Sequence, residues 1–383
     1  MQRSGDKQSS FKTSRKWTPV FLLCALMFTA APQAFAQILI GQTAGFTGPV
    51  AAGVKETLDG AKLYIDKVNQ SGGIRGKTIE LVSLDDSFDP NKAAENGRVL
   101  IEERGVVALF LTRGTPHTEA IIPLLNKHKV PLVAPSTGAM VLHEPVQRHV
   151  FNVRSTYQRE AQKAVEQLTS IGMQRVAIVH ADDSFGRDAL EGANKGFESA
   201  RLKPVVVIKA DRSKPDFGAI VSGIVESGAQ AVLWFASGNS VADGIHKLRA
   251  AGSSARVITL SNNASSGFIK SLAGNSQGVM VTQVFPYERS MSTRFVVEAL
   301  ALSHSKGLEV SPAMLEGFAA AKVLVEALQR AAPRHTRERI QAALESMKKF
   351  DLGGMDLSFS ATDHTGLNFV DLSIIGDHGK FRR

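Results

Sequence analysis

From residue 38 onward, the hydrophobic and polar positions of this chain repeat in a regular order. A short apolar run is followed by a loop containing Gly or Asp and then by an amphipathic stretch, with little interruption. After a first run at residues 38–44, apolar residues recur at steps of four and three, which places them on one helical face: Val54, Leu58, Ala61, Ile65 and Val68. Strands and helices that alternate in this way are typical of an α/β fold with parallel sheets.

The pattern predicts two successive runs of βα units. The first has predicted strands at residues 38–44, 78–84, 106–111 and 131–134, with helices between them that include 119–129. Asp89 and Pro90 suit the N-cap and the first position of its second helix. The second run has predicted helices at 157–171, 189–200, 217–227 and 240–251, and strands at 175–180, 204–209, 231–235 and 256–260.

The order changes after about residue 283. Three predicted helices, at 293–303, 312–331 and 337–347, follow without comparable strands between them, and strand-like segments at 355–360 and 370–375 end the chain. No Pro- or Ser-rich linker and no low-complexity tract separates the two runs. We therefore expect two similar lobes, with the chain crossing between them as ordered strands.

The first 36 residues have the character of an export signal. Five basic residues and one acid precede an apolar run centred on residues 20–31, and the small-x-small sequence Ala34-Phe35-Ala36 predicts cleavage after Ala36. Because this segment holds much of the net charge of +9, that charge does not indicate nucleic-acid binding. The apolar run is shorter than the roughly 20 residues that span a bilayer, and the composition, 43% hydrophobic, is not that of a polytopic membrane protein.

The single cysteine, Cys24, lies inside this apolar run, so a chain that begins at Gln37 has no disulfide or thiolate chemistry. Lipid attachment to Cys24 is the alternative to cleavage after Ala36. The large Leu22 and Leu23 precede the cysteine where lipidation sites have small residues, and they favour cleavage.

Catalytic and metal-binding motifs are absent from the sequence. There is no G-x-S-x-G or H-E-x-x-H motif and no His or Cys cluster with metal-ligand spacing, so we expect neither a metal nor a cofactor. Ser303 and Lys306 match S-x-x-K only at a helix end, which we interpret as chance. His143 and His149 flank a loop at a spacing that fits no helical metal pair, and we expect both to be solvated.

Polar loops follow two neighbouring predicted strands. Residues 112–118 follow one strand and open a helix, and residues 134–138 follow the next strand. In open α/β sheets, ligands bind outside the carboxyl ends of the strands. Hydroxyl groups and free amide N–H groups at a helix start suit a carboxylate. Helix capping is the alternative role for the same Ser and Thr residues.

The chain resembles the leucine/isoleucine/valine-binding proteins, the periplasmic solute receptors of ABC importers with the type I binding-protein fold. No single motif is diagnostic, but the order and spacing of the matching segments extend over essentially the whole exported chain. These segments are Ile40-Gly41, Thr47-Gly48-Pro49-Val50, Gly60-Ala61, Gly72-Gly73-Ile74-Arg75-Gly76, Asp85-Asp86, Asp89-Pro90, Val130-Pro131, Ala134-Pro135-Ser136-Thr137, Phe185-Gly186, Asp216-Phe217, Leu248-Arg249-Ala250-Ala251-Gly252 and Ala273-Gly274.

The resemblance implies two Rossmann-like lobes that are joined by three crossing strands and close over a ligand by hinge motion. The implied boundaries are 37–155 with 283–357 for the first lobe, and 156–282 with 358–383 for the second. The implied carboxylate site consists of Thr115 with Ser136, Thr137 and Gly138, and the second lobe contributes Phe185 to the cleft. Loop position alone adds Phe46, Tyr157, Asn239 and Tyr287 as further contacts.

The sequence departs from the family where the ligand's ammonium group is held. Asn262 occupies the position at which the family has a carboxylate. Either another acid supplies the charge, namely Asp182, Asp183 or Glu288, or the ligand is not an α-amino acid. Gly53 replaces an aromatic wall of some relatives, and Arg113 either strengthens the anion site or is an exposed loop residue.

The expected function is that of a periplasmic, non-enzymatic binding protein. It would act as a monomer and deliver a branched-chain or related amino acid, or a small carboxylate, to an ABC permease in the inner membrane. The alternative is a sensor of the same fold that binds an amide or an aromatic acid and signals to a protein partner.

Overall fold

The computed structural model describes residue 5, residues 8–10 and residues 37–383. The predicted apolar run with Cys24 and the cleavage site after Ala36 lie outside the described residues. No helix in the described ranges combines the length and the apolar character needed to cross a membrane.

A five-stranded parallel sheet forms the first half of the fold. Its strands are β1 (Gln37–Ala44), β2 (Thr78–Asp85), β3 (Ala108–Phe110), β4 (Leu132–Val133) and β5 (Val150–Phe151), in the order β2-β1-β3-β4-β5. The helices between them are α1 (Ala51–Gln70), α2 (Pro90–Arg98) and α3 (Thr115–His128). Asp89 caps α2 by accepting a hydrogen bond from the Asn91 amide, as predicted.

A second sheet begins with five parallel strands. These are β6 (Val176–Ala181), β7 (Val206–Ala210), β8 (Ala231–Phe235), β9 (Arg256–Thr259) and β10 (Met280–Gln283). Their helices are α4 (Tyr157–Ser170), α5 (Ser184–Ala200), α6 (Phe217–Glu226), α7 (Gly238–Ala250) and α8 (Ser266–Ser271). Every residue of β6 and β8 is buried, because helices cover both faces of a parallel sheet, and both strands therefore appear as apolar runs in the sequence.

The last hundred residues add helices and short strands to both halves of the fold. They form α9 (Arg294–His304), α10 (Pro312–Ala331), α11 (Arg337–Glu345), β11 (Phe350–Asp351), β12 (Asp356–Leu357), β13 (Asp371–Ile375) and β14 (Phe381–Arg382). The helix α10 packs along α1 beside the first sheet, whereas β13 and β14 extend the second sheet with antiparallel pairing to β10. The chain thus passes between the two halves three times, which confirms the predicted α/β fold of two Rossmann-like lobes and three crossings.

The crossing segments are held together by backbone hydrogen bonds and by a buried ion-pair network. The Asn152 amide donates to the His364 carbonyl at 2.9 Å. Arg154, in the first crossing, places Nη2 2.5 Å from Glu160 Oε1 on α4 and Nη1 3.6 Å from Glu316 Oε1 on α10. The guanidinium also lies 4.7 Å from the centre of the Tyr157 ring. Arg154 therefore contacts both halves of the fold at the point where the chain crosses.

Helix starts and the shortest strands differ from the predictions. The helices predicted at 119–129 and 189–200 begin earlier, at Thr115 and Ser184, because polar residues occupy their first turns. The strands β5, β10, β11 and β14, of two to four residues each, were not predicted.

The prediction that His143 and His149 are solvated was wrong. Both are buried, and their Nδ1 atoms lie 3.0 Å from Thr365 Oγ1 and 2.8 Å from Gln341 Oε1.

Candidate ligand-binding site

A cavity opens at the carboxyl ends of the parallel strands of both sheets. The empty space there, part of which is open to solvent, amounts to about 560 Å³. The lining comes from the starts of α1 and α4 and from the segments that follow β2, β3, β6, β7, β8 and β9. The lining residues are Val50, Phe88, Arg113, Gly114, Thr115, Pro116, Tyr157, Ala181, Asp183, Phe185, Ala210, Asp211, Arg212, Ala236, Ser237, Ser240 and Asn262. We call this space the main cavity.

A smaller side cavity adjoins the main cavity and shares Val50, Arg113 and Asn262 with it. Its empty volume is about 320 Å³. The predicted contact Asn239 lines the side cavity, as does Gly53, where some family members have an aromatic residue. Arg113 and Asn262 therefore stand at the boundary between the two spaces.

Arg113 is held in place by the loop between β3 and α3. The next residue, Gly114, has a φ of +94°, and a Cβ atom there would lie 2.6 Å from His117 Nδ1, so only glycine fits this turn. Arg113 is 6% exposed. Its Nη1 donates to Ser136 Oγ at 2.9 Å, and its Nη2 donates to the Asn262 carbonyl across the cleft at 2.6 Å. Both partners are uncharged, and within the described part of the chain no carboxylate pairs with this guanidinium.

Thr115 lies beside Arg113 at the first residue of α3. It is 1% exposed, and its Oγ1 lies 2.7 Å from Thr137 Oγ1. In the first turn of α3, Thr115 and Pro116 border the main cavity, but Pro116 has no N–H and the Thr118 amide donates to the Gly114 carbonyl. Thr115 and Arg113 together form a donor-rich wall that suits an anion.

Ser136, Thr137 and Gly138 lie directly behind this wall. None of the three lines the main cavity. Ser136 and Thr137 contact Arg113 and Thr115 through the hydrogen bonds given above, and the Gly138 carbonyl accepts from the Tyr157 amide at 2.8 Å. The loop thus supports three lining residues, and its predicted direct contact with a ligand stays a prediction.

Two groups of aromatic side chains form the apolar walls. Tyr157 and Phe185 meet edge to face, with ring centres 4.8 Å apart. On the opposite side, Phe88 stacks on His117 at 4.4 Å, and the guanidinium of Arg212 lies 4.4 Å from the centre of the Phe88 ring. Burial, with Arg212 nearby, lowers the pKa of His117 to about 4, so that the imidazole in this stack is neutral at pH 7.

Two of the predicted contacts lie elsewhere. Phe46 packs against the small cluster of Ala44, Val50 and Val54 and does not line either cavity, because the loop after β1 turns its ring toward α1. Tyr287 donates its hydroxyl to the Phe381 carbonyl at 3.3 Å and is likewise absent from both linings.

The acids considered for an ammonium group are engaged or distant. Asp182 pairs with Lys209 at 3.1 Å. Asp183 pairs with Arg212 at 3.3 Å and also caps α5 through the Gly186 amide. Glu288 lies in a surface depression away from both cavities, where burial raises its pKa to about 6.

Asn262 presents an unused acceptor at the boundary of the two cavities. Its Nδ2 donates to the Ala236 carbonyl and to Asn263 Oδ1, both at 3.1 Å. Its Oδ1 is buried and has no hydrogen-bond partner among the described residues.

Sequence reasoning missed several lining residues, of which Phe88, Asp211, Arg212, Ser237 and Ser240 are the polar or aromatic ones. Four of them lie in loops at the carboxyl ends of predicted strands, and Ser240 lies in the first turn of α7, just after such a loop. Ligands in open α/β sheets bind at the carboxyl ends of the strands, so considering the loop after every predicted strand, instead of after two of them, would have found these loops.

The two halves of the fold touch across the cleft. Ser184 on α5 donates to Glu119 on α3. The carboxylate of Glu56 on α1 accepts from the amides of Ser266 and Gly267 at the start of α8, at 3.0 and 2.8 Å. The cavities are thus enclosed between the halves.

A cavity between two α/β halves with three crossings is the arrangement found in the class of two-lobed solute-binding proteins. The chain belongs to the periplasmic binding protein family, whose sequence model matches residues 37–372. The resemblance to the leucine/isoleucine/valine-binding proteins is thereby confirmed.

The relatives of this chain are binding proteins. Leu/Ile/Val-binding protein homolog 3 of Brucella melitensis biotype 1 is 23% identical over 355 residues, which cover 89% of this chain and 93% of that protein. Leu/Ile/Val-binding protein BraC3 of Rhizobium johnstonii is 25% identical over 338 residues, with coverage of 86% and 88%.

Solved structures share the fold. A possible leucine/isoleucine/valine-binding protein from Rhodopirellula baltica superposes with a TM-score of 0.85 at 24% identity, covering 91% of this chain and 96% of that one. A branched-chain amino acid ABC transporter protein from Thermus thermophilus with bound valine gives a TM-score of 0.80 at 18% identity, with coverage of 90% and 94%.

Proposed function

We propose that this protein is the periplasmic solute-binding component of an ABC importer. It binds a branched-chain or related amino acid, or a small carboxylate, in the main cavity and delivers it to a permease in the inner membrane. The observation that carries the proposal is the donor-rich wall of Arg113 and Thr115, which faces a cavity that is partly lined by apolar and aromatic side chains. The names of the relatives support the same class of ligand.

Ligand binding and lobe closure are coupled in this proposal. Residues 37–155 with 283–357 form one lobe, and residues 156–282 with 358–383 form the other; the packing of α10 on α1 and of β13 on β10 supports this division. A ligand that contacts both walls binds the closed form more tightly than the open form, and this difference in affinity shifts the protein toward the closed form. The permease distinguishes the closed form from the open one. The protein acts as a monomer.

The binding experiment is a calorimetric titration of the chain from Gln37 with branched-chain amino acids and small carboxylates. The double variant Thr115→Ala with Ser136→Ala should weaken binding of the best ligand more than tenfold, because Thr115 loses its hydrogen bond to the ligand carboxylate and Arg113 loses the hydroxyl that positions it. The control is Ser170→Ala with Ser199→Ala, two exposed positions at helix ends. Unchanged affinity in the first double variant would remove the proposed carboxylate site.

Export and transport are tested in the native cell. The proposal expects the protein in the periplasmic fraction with Gln37 as its first residue, and deletion of its gene should reduce uptake of the ligand that it binds. A protein that starts at a lipid-modified Cys24, or uptake that does not change on deletion, would contradict this part.

A further inference from the structure

Among the residues that the structure describes, four charged side chains line the main cavity, and three of them already have partners or face solvent. Asp183 and Arg212 form an ion pair at 3.3 Å. Asp211 is exposed, and its Oδ1 accepts from the amides of Ser213 and Lys214, both at 2.7 Å. Within the described residues, neither Asp211 nor Arg113 has an ion-pair partner, but Asp211 is exposed and Arg113 is buried. Among the same residues, Arg113 is the single charged residue that lines the side cavity.

A buried guanidinium whose partners are all neutral favours an incoming anion. Arg113 is 6% exposed and donates only to a hydroxyl oxygen and a carbonyl oxygen. Removing a charge from water is costly unless an opposite charge compensates it. A ligand carboxylate at this wall supplies that opposite charge. The hydroxyl of Thr115 binds the same carboxylate.

The same arrangement disfavours an ammonium group. Arg113 Nη2 lies 2.6 Å from the Asn262 carbonyl, so a cation placed at Asn262 would stand beside the guanidinium and be repelled by it. The carboxylates of Glu160 and Glu316 line neither cavity; Arg154 pairs with Glu160 at 2.5 Å and lies 3.6 Å from Glu316. The free Oδ1 of Asn262 is an uncharged acceptor that suits a hydroxyl or amide donor.

Part of the main cavity is apolar or aromatic, beside the polar lining residues given above. Val50, Phe88, Tyr157 and Phe185 line it together with Arg113. These side chains fit the hydrocarbon body of an organic acid.

Resting on the proposed function, we infer that the ligand is an organic carboxylate with an apolar body and no α-ammonium group. Arg113 compensates its charge, and Asn262 accepts a hydrogen bond from an uncharged donor where the ligand has one.

Matched pairs that differ only in the amino group test this inference. We would measure, by calorimetry on ligand-free protein, L-leucine against 4-methylpentanoate, L-phenylalanine against 3-phenylpropanoate, and L-tyrosine against 3-(4-hydroxyphenyl)propanoate. In each pair with at least one member that binds, the acid without the amino group should bind at least tenfold more tightly than the amino acid. Tighter binding of an amino acid than of its partner overturns the inference and leaves the proposed function intact. If no member of any pair binds, the proposed ligand class fails together with the inference.

A charge substitution supplies the second test. Asn262→Asp places a carboxylate beside Arg113 and should move the ratio of the two affinities toward the amino acid by at least tenfold. The matched control Asn91→Asp makes the same chemical change at an exposed position of α2 and should leave the ratio unchanged. A ratio that does not move in Asn262→Asp contradicts the role given to this position.

Discussion

At the scale of single residues, the chemistry of the cavity depends on Arg113. Its guanidinium joins the loop after β4, through Ser136, to the loop after β9, through the Asn262 carbonyl. The side chain therefore contacts both halves of the fold and still faces both cavities. In the proposed site, the same side chain that bonds to both loops also holds the ligand's carboxylate.

Arg113→Met should weaken binding of the best carboxylate by about 10- to 100-fold, since hydrogen bonds to charged groups contribute about 1.5–3 kcal/mol. Methionine has a similar length and no charge, and Arg113 has no carboxylate partner that its removal would leave unpaired, so the fold should persist. The control Arg294→Met removes an exposed arginine that pairs with Asp351 on the surface. Equal dissociation constants for Arg113→Met and the wild type in calorimetry would show that the guanidinium does not hold the ligand.

A second residue-scale prediction concerns His143. Burial, together with the positive charge of Arg154, lowers the pKa of His143 to about 4, against an ordinary value of 6.5. The unfolded chain therefore binds the proton more tightly, and this residue costs the folded protein stability as the pH falls from about 6.5 toward 4.

His143→Gln cannot take up this proton, so between pH 7 and pH 5 the variant should lose about 2 kcal/mol less unfolding free energy than the wild type. Urea denaturation at the two pH values measures the difference. His378→Gln, at an exposed position, is the control and should follow the wild type. An equal loss of unfolding free energy in His143→Gln and in the wild type between pH 7 and pH 5 would contradict the lowered pKa of His143.

At the scale of elements, the sequence predicted the long helices and buried strands well. The helix predicted at 312–331 matches α10 in full, because its apolar positions are periodic over 20 residues. The start of α5 was missed, since Asp183 caps it and the first turn has little apolar periodicity. The strands β5 and β14 have two residues each, and such strands depend on neighbours that are distant in the chain.

The candidate site was also predicted only in part, because some of its contacts join loops that are distant in the chain. Thr115 and Phe185 were found because strand ends and family resemblance both identify their loops. The contribution of Arg212 was missed, because it follows from an ion pair with Asp183 and a stack on Phe88, two contacts between separate loops. The sequence order of loops does not show which of them meet.

Close packing of α1 on α10 gives the element-scale prediction. A Cβ atom at Gly317 would lie 1.7 Å from the Thr57 carbonyl oxygen, so Gly317→Ala must push the helices apart. Overpacking of this kind should reduce the unfolding free energy by about 3 kcal/mol. Gly274→Ala, where nothing lies within 4 Å, should change it by less than about 0.5 kcal/mol. Similar urea midpoints for the two variants would contradict this packing.

At the scale of the whole molecule, contacts away from the cavity hold the cleft closed. The Glu56 carboxylate on α1 accepts from two amides at the start of α8, and it lines neither cavity. If these bonds form only on closure, they contribute to ligand affinity without touching the ligand.

Glu56→Ala should accordingly weaken ligand binding by about three- to tenfold, the equivalent of one charge-assisted hydrogen bond. Asp59→Ala, on the same helix, removes only a pair with Lys55 four residues earlier and serves as the control. Identical affinities of Glu56→Ala and Asp59→Ala in calorimetry would mean that the Glu56 contact is the same in the open and closed forms.

A crystal structure of the protein with the tightest-binding acid of the matched pairs would show directly which groups hold the carboxylate. We expect the acid in the main cavity, with its carboxylate within about 3 Å of the Arg113 guanidinium and the Thr115 hydroxyl, a normal hydrogen-bond distance. A carboxylate directed away from both groups, or an acid bound outside the cleft, would contradict this expectation.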